Sequence, residues 1–245
     1  MESCSTSDIE SEICWFCKKG RHAECMKEMP INAKSDGPHD CTFDTKMVPC
    51  KCAHWKGDFI MKYDDEFWNK YADENESRYN EEFSKYVRNL TTSLPGVQSI
   101  LEIGCGTGID LRLFPDSFQL HGIDLNEHAL EIAREKVSNV NFQKGDIAKL
   151  PFEDSSIDFV FTHGLMNYLD DDILKKGISE MFRVSKRWIM HCEKYEKTEK
   201  QIDKNHKFRN MGEKWLDYKI KFVSDVDLHE DYGQDQTRFT LLKKL

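Results

Sequence analysis

The sequence predicts an α/β fold, with a parallel sheet covered by helices on both faces and a small cysteine- and histidine-rich module in front of it. From residue 99 onward, short apolar strands alternate with amphipathic helices, which is the pattern of consecutive βαβ units. Seven of the nine cysteines lie before residue 53, and so steep a change in composition marks a domain boundary. We therefore predict a disordered N-terminus (1–11), a Cys/His module (12–57) and an α/β domain (58–245).

Composition and charge narrow the class of protein. No apolar run approaches the ~18–20 residues needed to cross a bilayer, and the acidic N-terminal segment lacks the apolar stretch of a secretory signal. We therefore expect a cytoplasmic protein without membrane contact, in a compartment where stable disulfides are rare. The net charge of −9 argues against a protein that simply coats nucleic acid. Residues 186–221 carry a local positive excess, which indicates either a solvated surface or one that meets an anionic substrate.

The first predicted element of the α/β domain is a helix over residues 63–90, because apolar side chains recur there at helical spacing. Residues 93–96 contain Pro and Gly and break the chain. An apolar run over 99–103 is predicted as the first strand. The residues after its glycine-rich turn, 108–114, are predicted as a short helix.

The remaining predicted elements continue the alternation. Predicted strands cover 120–125, 140–142, 157–162 and 187–192, and predicted helices cover 126–137 and a segment that opens at 170–172. Asn126 is expected to cap the first of these two helices. Two strand-like runs, 219–226 and 237–242, are predicted to pair antiparallel at one edge of the sheet.

The strongest chemical signal is Leu101-Glu-Ile-Gly-Cys-Gly-Thr-Gly108, a glycine-rich turn at the end of the first predicted strand. Glycines in such a turn let a ligand approach the backbone closely. Asp124 closes the second strand, twenty residues after Gly104, where a carboxylate can accept hydrogen bonds from both ribose hydroxyls. Asp146 follows the third strand and can accept from an adenine amino group.

Two cofactors fit a ribose site of this kind, a dinucleotide and S-adenosylmethionine. A dinucleotide needs a helix N-terminus for its pyrophosphate, whereas Glu102, two residues before the first glycine, would oppose that negative charge. Carboxylates suit a ligand that bears an ammonium and a sulfonium. Glu102, Asp124 and Asp146, at the ends of three strands, therefore favour the cationic cofactor.

These motifs, in this order, resemble those of class I S-adenosylmethionine-dependent methyltransferases. The resemblance rests on the glycine motif, on Gly122-Ile-Asp-Leu-Asn126 and on Gly145-Asp-Ile-Ala-Lys-Leu-Pro-Phe-Glu-Asp-Ser-Ser-Ile-Asp-Phe-Val160, and it covers about residues 60–245. It implies a Rossmann-like, seven-stranded sheet whose last strand pair is reversed. It also implies transfer of a methyl group from S-adenosylmethionine to an acceptor.

The resemblance further implies which residues hold the cofactor. Those around the glycine turn would border its methionine part: Glu102, Gly104, Cys105, Gly106 and Gly108. The others would contact the nucleoside, with the ribose held by Asp124, the adenine packed on Leu125, and the adenine edge contacted by Asp146 and Ile147.

By the same resemblance, Thr162 and His163 would line the methyl-transfer pocket after the fourth strand. His163 is the best-placed titratable group, and we hypothesise that it orients or deprotonates the acceptor. The alternative is that His163 only hydrogen-bonds the backbone. Cys105 and Cys192 are expected to be buried packing residues rather than reactive thiols.

A second, weaker resemblance concerns the flanks of the domain. Phe67-Trp68, the run 162–169 and the run 236–243 are similar to small methylases associated with pseudaminic acid biosynthesis. The motif Gly-Cys-Gly-Thr-Gly departs from that family's usual glycine motif. A nonulosonic-acid substrate is therefore not carried over.

The N-terminal module contains eight candidate metal ligands at knuckle-like spacings. They are Cys14, Cys17, His22, Cys25, Cys41, Cys50, Cys52 and His54. Structural zinc takes four ligands in tetrahedral geometry, so eight groups suffice for two structural zinc ions, whose ligand pairing stays open. A single zinc, a disulfide framework and an iron–sulfur cluster are the alternatives. The segment is too poor in aliphatic residues to form its own core, which also favours a metal.

The sequence thus predicts an enzyme that methylates an unidentified acceptor. A small molecule or a protein is favoured as the acceptor, and RNA stays open. The zinc module, through its aromatic residues Trp15 and Phe16, would dock a protein partner or a substrate. The rival is a binding or regulatory protein whose methyltransferase fold only binds the cofactor.

Overall fold

The computed structural model describes two units of the chain, Met1–Ile60 and Met61–Leu245. The described residues are 28–30, 47–49, 64–203, 205–229 and 237–245. In the first unit, strand β1 (Glu28–Pro30) pairs antiparallel with strand β2 (Met47–Pro49). The second unit contains the α/β domain, and the remaining features of the fold belong to it.

A seven-stranded sheet forms the centre of the second unit. Its strands are β3 (Ser99–Ile103), β4 (Gln119–Asp124), β5 (Val140–Lys144), β6 (Ile157–His163), β7 (Ser185–Lys194), β10 (Ile220–Asp227) and β11 (Thr237–Lys244). They lie in the order β10-β11-β7-β6-β3-β4-β5. The five strands from β5 to β7 are parallel, and β11 runs antiparallel to both β7 and β10. The predicted reversed pair at the sheet edge is therefore confirmed.

Strand β3 lies at the point where the chain changes direction across the sheet. It pairs with β4 on one side and with β6 on the other. The chain leaves β3 towards β4 on one side and later returns to β6 on the other side. The carboxyl ends of these strands therefore open a crevice between the two connections. In α/β sheets of this kind, ligands bind in that crevice.

Four α-helices occur in the described part of the second unit, and an Asp or Asn side chain caps each of them. They are α1 (Asp65–Asp73), α2 (Glu81–Ser93), α3 (Glu127–Lys136) and α4 (Asp171–Val184). Each cap, at Asp64, Asn80, Asn126 and Asp170 respectively, accepts a hydrogen bond from the amide three residues later. Such caps satisfy one of the free N–H groups at a helix start. The predicted cap at Asn126 is confirmed.

The two faces of the sheet carry separate cores, as alternating side chains require. Phe159 and Phe161 of β6 pack with α2 and α3 on one face, whereas Val160 packs with α4 on the other. The helices therefore cover both faces, as predicted from the alternation of strands and helices.

Two predicted helical segments differ from the structure. Residues 108–114 form turns instead of a helix, because Gly106 and Gly108 adopt positive φ angles of 50° and 72° and Pro115 follows closely. Leu111 nevertheless reaches the core. The stretch 63–90 forms two helices rather than one.

The break between α1 and α2 has a local cause. Asn75–Arg78 form a 3-10 turn, and Asn75 donates to Thr107 Oγ1 at 2.8 Å. Asn80 then starts a new helix as its N-cap. The break therefore ties the chain to the glycine-rich turn, which a single straight helix could not do.

A small hairpin between β7 and β10 was not predicted. Strand β8 (Lys200–Asp203) pairs antiparallel with β9 (His206–Phe208). A 3-10 turn at Met211–Trp215 follows and buries Trp215 in the core. None of the helices described is long and apolar enough to cross a membrane.

Candidate functional site

A cleft of about 1020 Å³ opens at the carboxyl ends of the central strands. Its floor comes from the glycine-rich turn after β3 and from the ends of β4 and β6. Trp68 and Tyr71 of α1 and Tyr168 of the loop after β6 form part of its wall. The volume is ample for a nucleoside-sized ligand together with a second, smaller molecule.

Asp124 lies at the end of β4, as predicted, and lines the cleft. Its Oδ2 accepts a hydrogen bond from the Gly106 amide and its Oδ1 accepts one from the Asn126 amide, both at 2.8 Å. Burial raises the pKa of Asp124, although these amides oppose the shift. The glycine turn is thereby fixed next to a carboxylate.

Gly104 is closely packed in the turn. It has a φ of +74°, and a Cβ atom there would lie 2.9 Å from the Leu165 side chain. A side chain is therefore excluded on both conformational and steric grounds. Gly104, Cys105 and Gly106 all line the cleft, as predicted.

Glu102 lies buried in the wall of the cleft. Its Oε2 has no hydrogen-bond partner among the described residues. Burial, together with the nearby Asp110 and Asp124 carboxylates, raises its pKa well above the usual range. A buried, unpartnered carboxyl oxygen is costly, and a donor or a cation in the cleft would remove that cost.

The adenine-side residues also reach the cleft. Leu125 is 60% exposed, while Ile147 is buried, and both line the cleft. Asp146 lines it as well, and its Oδ1 accepts from the Ala148 amide at 2.8 Å. An exposed leucine beside a buried isoleucine provides an apolar surface on which a planar ring can pack.

Thr162 has a different position from the one expected. Its side chain is fully buried and donates to Glu193 Oε1 at 3.0 Å. It is not among the residues that line the cleft, so it supports the wall from behind. Sequence alone could not locate this contact, because the two residues lie on neighbouring strands.

His163 is the last residue of β6 and lines the cleft. Its Nδ1 lies 2.7 Å from Asp110 Oδ2, and its ring packs on Phe83 with centroids 4.0 Å apart. Burial lowers the pKa of His163, but the Asp110 carboxylate outweighs this effect, so the net shift is upward. The alternative that His163 only contacts the backbone does not describe this geometry.

Asp110 lines the cleft beside His163, although the sequence does not single it out. It is 4% exposed and also accepts from Ser84 Oγ of α2 at 3.1 Å. Its position two residues after Gly108 gave no signal of a partner more than fifty residues away. Only the folded chain shows that His163 and Ser84 meet on this carboxylate.

The two cysteines of this unit, Cys105 and Cys192, are buried and unpaired. Burial raises the pKa of both thiols well above the usual range. Thiols in such surroundings stay protonated and inert. The interpretation of both as packing residues is supported.

The positive segment 186–221 is spread over several surfaces. Lys186 pairs with Asp158, Lys207 with Asp171 and Lys214 with Glu199, and Arg209 is buried. Asp158 and Asp171 lie outside the segment, so their pairs with Lys186 and Lys207 offset two of its five excess positive charges.

The eight predicted zinc ligands lie outside the described residues: Cys14, Cys17, His22, Cys25, Cys41, Cys50, Cys52 and His54. Within the part of the chain that the structure describes, no group of three or more His, Cys, Asp or Glu side chains could hold a metal ion. The zinc prediction therefore stays a prediction.

Known proteins resemble this chain in the same region. Residues 100–187 match the family profile described as "Methyltransferase domain". The putative methyltransferase YqeM of Bacillus subtilis is 32% identical over 111 residues, which cover 42% of this chain and 44% of that protein. Phosphoethanolamine N-methyltransferase 2 of Caenorhabditis elegans is 33% identical over 109 residues, or 42% of this chain and 24% of that protein. The chain thus spans less than half the length of these relatives.

Solved structures show the same fold. A SAM-dependent methyltransferase from Aquifex aeolicus superposes with a TM-score of 0.58 at 19% identity, over 75% of this chain and all of the other. The second unit therefore has the Rossmann-like, seven-stranded fold of that methyltransferase, and residues 100–187 are similar to a methyltransferase domain.

Proposed function

We propose that the protein is an S-adenosylmethionine-dependent methyltransferase. The observation that carries this proposal is the buried Glu102 carboxyl in the cleft wall, whose Oε2 has no hydrogen-bond partner among the described residues and which lies near two further carboxylates. A cofactor with an ammonium group supplies the missing donor, whereas a pyrophosphate would add a further negative charge. The match of residues 100–187 to a methyltransferase domain supports the same choice.

The residues present fit this cofactor. Glu102, with the glycine turn at Gly104, Cys105 and Gly106, would hold the methionine part. The nucleoside would be held by Asp124 at the ribose and by Leu125, Asp146 and Ile147 at the adenine. When bound, the cofactor supplies an electrophilic methyl group on its sulfonium.

His163 is proposed as the group that receives the acceptor's proton. Because Nδ1 is engaged by Asp110, the neutral ring carries its proton there and Nε2 keeps a free lone pair. A base held in this tautomer can take a proton from a hydroxyl or ammonium acceptor. Thr162 acts only from behind the wall, through Glu193.

The acceptor is proposed to be a small molecule or a protein, and RNA is the remaining class. The phosphoethanolamine methyltransferases among the similar proteins do not decide this, and neither does the resemblance to the pseudaminic-acid-associated methylases. The second candidate function is a regulatory protein that binds the cofactor without turnover, with its zinc module contacting a macromolecule.

For the first unit, we propose two structural zinc ions held by the eight Cys and His residues, and a role in docking a protein partner. The spacing of these ligands supports the proposal. We also propose a cytoplasmic location, because a reducing compartment keeps the thiols of a cysteine-rich segment free to bind zinc.

The experiment that tests the enzyme is labelling of a cell extract by the full chain with methyl-tritiated S-adenosylmethionine. We expect label in one acceptor fraction, and sensitivity to protease or nuclease then tells protein from RNA. Calorimetry with S-adenosylmethionine and with NAD tests the cofactor in parallel. Cofactor binding without transfer to any fraction would favour the regulatory protein, and binding of NAD alone would overturn the cofactor assignment.

A further inference from the structure

The loop that follows His163 is held by two buried charged side chains. Glu193, at the end of β7, is 2% exposed, and Arg209, after β9, is 1% exposed. Between them lies the 3-10 turn Met166–Tyr168. Neither residue has a role in the site described so far beyond the contact of Glu193 with Thr162.

Glu193 binds the start of the turn. Its Oε1 accepts from the Leu165 amide at 3.2 Å, and its Oε2 accepts from the Met166 amide at 3.1 Å. The same carboxyl also accepts from the Thr162 hydroxyl of β6, so it joins the end of that strand to the loop through three hydrogen bonds.

Arg209 binds the other end of the same turn. Its Nη1 donates to the Met166 carbonyl at 2.8 Å, and its Nη2 donates to the Leu169 carbonyl at 2.6 Å and to Asp171 at 3.1 Å. The peptide groups on both sides of Met166 are thus fixed by charges of opposite sign.

Holding one short turn with two buried ionisable side chains carries a large desolvation cost. Burial raises the pKa of Glu193 to about 7, even though the hydrogen bonds that this carboxyl accepts lower it. Arg209 leaves its Nε without a partner among the described residues. Ordinary neutral hydrogen bonds would stabilise the fold at lower cost, so these charges serve geometry at the turn rather than stability.

The turn and its flanking residues contribute Leu165, Asn167, Tyr168 and Leu169 to the lining of the cleft, and on the proposed function this part is the acceptor wall. Tyr168 lines the cleft and contacts Trp68 of α1 edge-on, with ring centroids 5.2 Å apart. Leu165 packs against Gly104 of the glycine turn. A shift of this turn would therefore move the acceptor wall relative to the cofactor site.

We propose that Glu193 and Arg209 are positioning residues that clamp the turn Met166–Tyr168, so that Tyr168 and His163 face the methyl acceptor in one fixed arrangement. This inference rests on the proposed methyltransferase function. It assigns no contact with cofactor or acceptor to either clamp residue, so cofactor binding should not depend on the clamp.

The test uses the full chain and the variants Glu193→Gln, Arg209→Met and Arg209→Lys. Glutamine keeps the size of Glu193 but turns an N–H₂ group towards a loop amide, and methionine removes every donor of Arg209. The readouts are backbone hydrogen exchange of the loop, affinity for S-adenosylmethionine by calorimetry, and the rate and KM for this cofactor in extract labelling.

Two matched controls lie elsewhere in the same unit. Asp158 is also buried and accepts from two backbone amides and a hydroxyl, those of Gln98 and Ser99, at the opposite end of β6. Arg183 also donates to two carbonyls and pairs with a carboxylate. The control variants are Asp158→Asn and Arg183→Lys.

We expect Glu193→Gln and Arg209→Met to speed exchange in the loop about tenfold, and to lower the labelling rate about tenfold with affinity and KM for the cofactor unchanged. Arg209→Lys should recover part of the rate. The controls should leave the loop and the rate as in the native chain. Backbone hydrogen exchange in β3 shows whether each variant is folded.

Unchanged loop exchange in folded clamp variants would overturn the proposal, as would an equal loss of rate in the controls. A lost cofactor affinity would likewise count against it. If the native chain labels no acceptor, the proposed function fails, while the exchange measurement still decides whether the clamp exists.

Discussion

Three acids around the cleft differ in what each one faces. Asp124 faces two backbone amides, Asp110 faces an imidazole and a hydroxyl, and Glu102 has an oxygen with no partner in the described part of the chain. The partners determine the role that each carboxyl can have. Asp124 holds the glycine turn, Asp110 fixes the His163 ring, and Glu102 has an oxygen that a ligand donor could reach.

Replacing Asp110 with Asn should lower the pKa of His163. The carboxylate is what raises this pKa against burial, so without its charge the effect of burial dominates. NMR titration of the His163 ring, identified with a His163→Gln variant, measures the shift. We also expect the labelling rate to fall about 100-fold, which is typical of an impaired general base.

The Ser84→Ala variant is the control for Asp110, because it removes a neutral contact of the same carboxyl. It should change the His163 pKa far less than Asp110→Asn does. If the pKa of His163 is unchanged in Asp110→Asn, the Asp110 carboxylate is not what raises it.

We expect the buried His191 to make the free energy of unfolding depend on pH. It is 1% exposed, it accepts from Trp215 Nε1 at 3.0 Å, and burial lowers its pKa to about 4. Because the folded pKa lies below the unfolded value of 6.5, its contribution to stability is present above pH 6.5 and is lost as the pH falls towards 4.

Between pH 7 and pH 5 this loss amounts to about 2 kcal/mol at 1.36 kcal/mol per pKa unit. Urea unfolding of the native chain and of His191→Gln at both pH values measures it, since the glutamine does not titrate but still offers an acceptor. Equal pH dependence in the two proteins would show that His191 does not contribute.

At the scale of elements, short sequence patterns predicted the helix cap and the strands correctly. They did not predict contacts between residues that are far apart in the chain. The N-cap at Asn126 and the five parallel strands depend on short patterns and were found where expected. The prediction of a helix over 108–114 was wrong, because the periodicity of apolar residues does not show that Gly106 and Gly108 adopt positive φ angles. The bond between His163 and Asp110 joins two elements, and nothing in either local pattern indicates it.

A comparison of Gly108 with Gly164 separates the effect of backbone strain from the effect of a steric clash. Gly108 and Gly164 have similar positive φ angles, 72° and 63°. A Cβ at Gly108 would lie 2.5 Å from the Phe142 ring, whereas a Cβ at Gly164 would meet nothing within 4 Å. The two positions therefore share the strain and differ in the clash.

Alanine at Gly164 should thus lower the free energy of unfolding by about 1 kcal/mol. Alanine at Gly108 should lower it by about 1–3 kcal/mol more, the usual cost of forcing atoms into a packed core. Urea unfolding of both variants checks the difference. Equal losses would mean that the Phe142 ring moves aside freely.

At the scale of the whole molecule, the acidic cleft and the Cys/His segment divide the work between two units. The residues proposed to bind the cofactor and to take the acceptor's proton, such as Glu102, Asp124 and His163, all lie in the second unit. A metal in the first unit would then replace a hydrophobic core that its sequence cannot supply. Zinc bound by four protein ligands has no open position for catalysis.

This division predicts the outcome of metal removal. Metal analysis of the full chain should give two zinc ions, and their release by a chelator should leave the affinity for S-adenosylmethionine unchanged within about threefold, because no metal ligand lies among the cofactor residues. Transfer to a small acceptor should persist, whereas transfer to a protein acceptor that docks on the module should fall. Less than one zinc per chain would contradict the two-zinc module. Loss of transfer to every acceptor, with cofactor affinity retained, would instead assign a zinc ion to the chemistry.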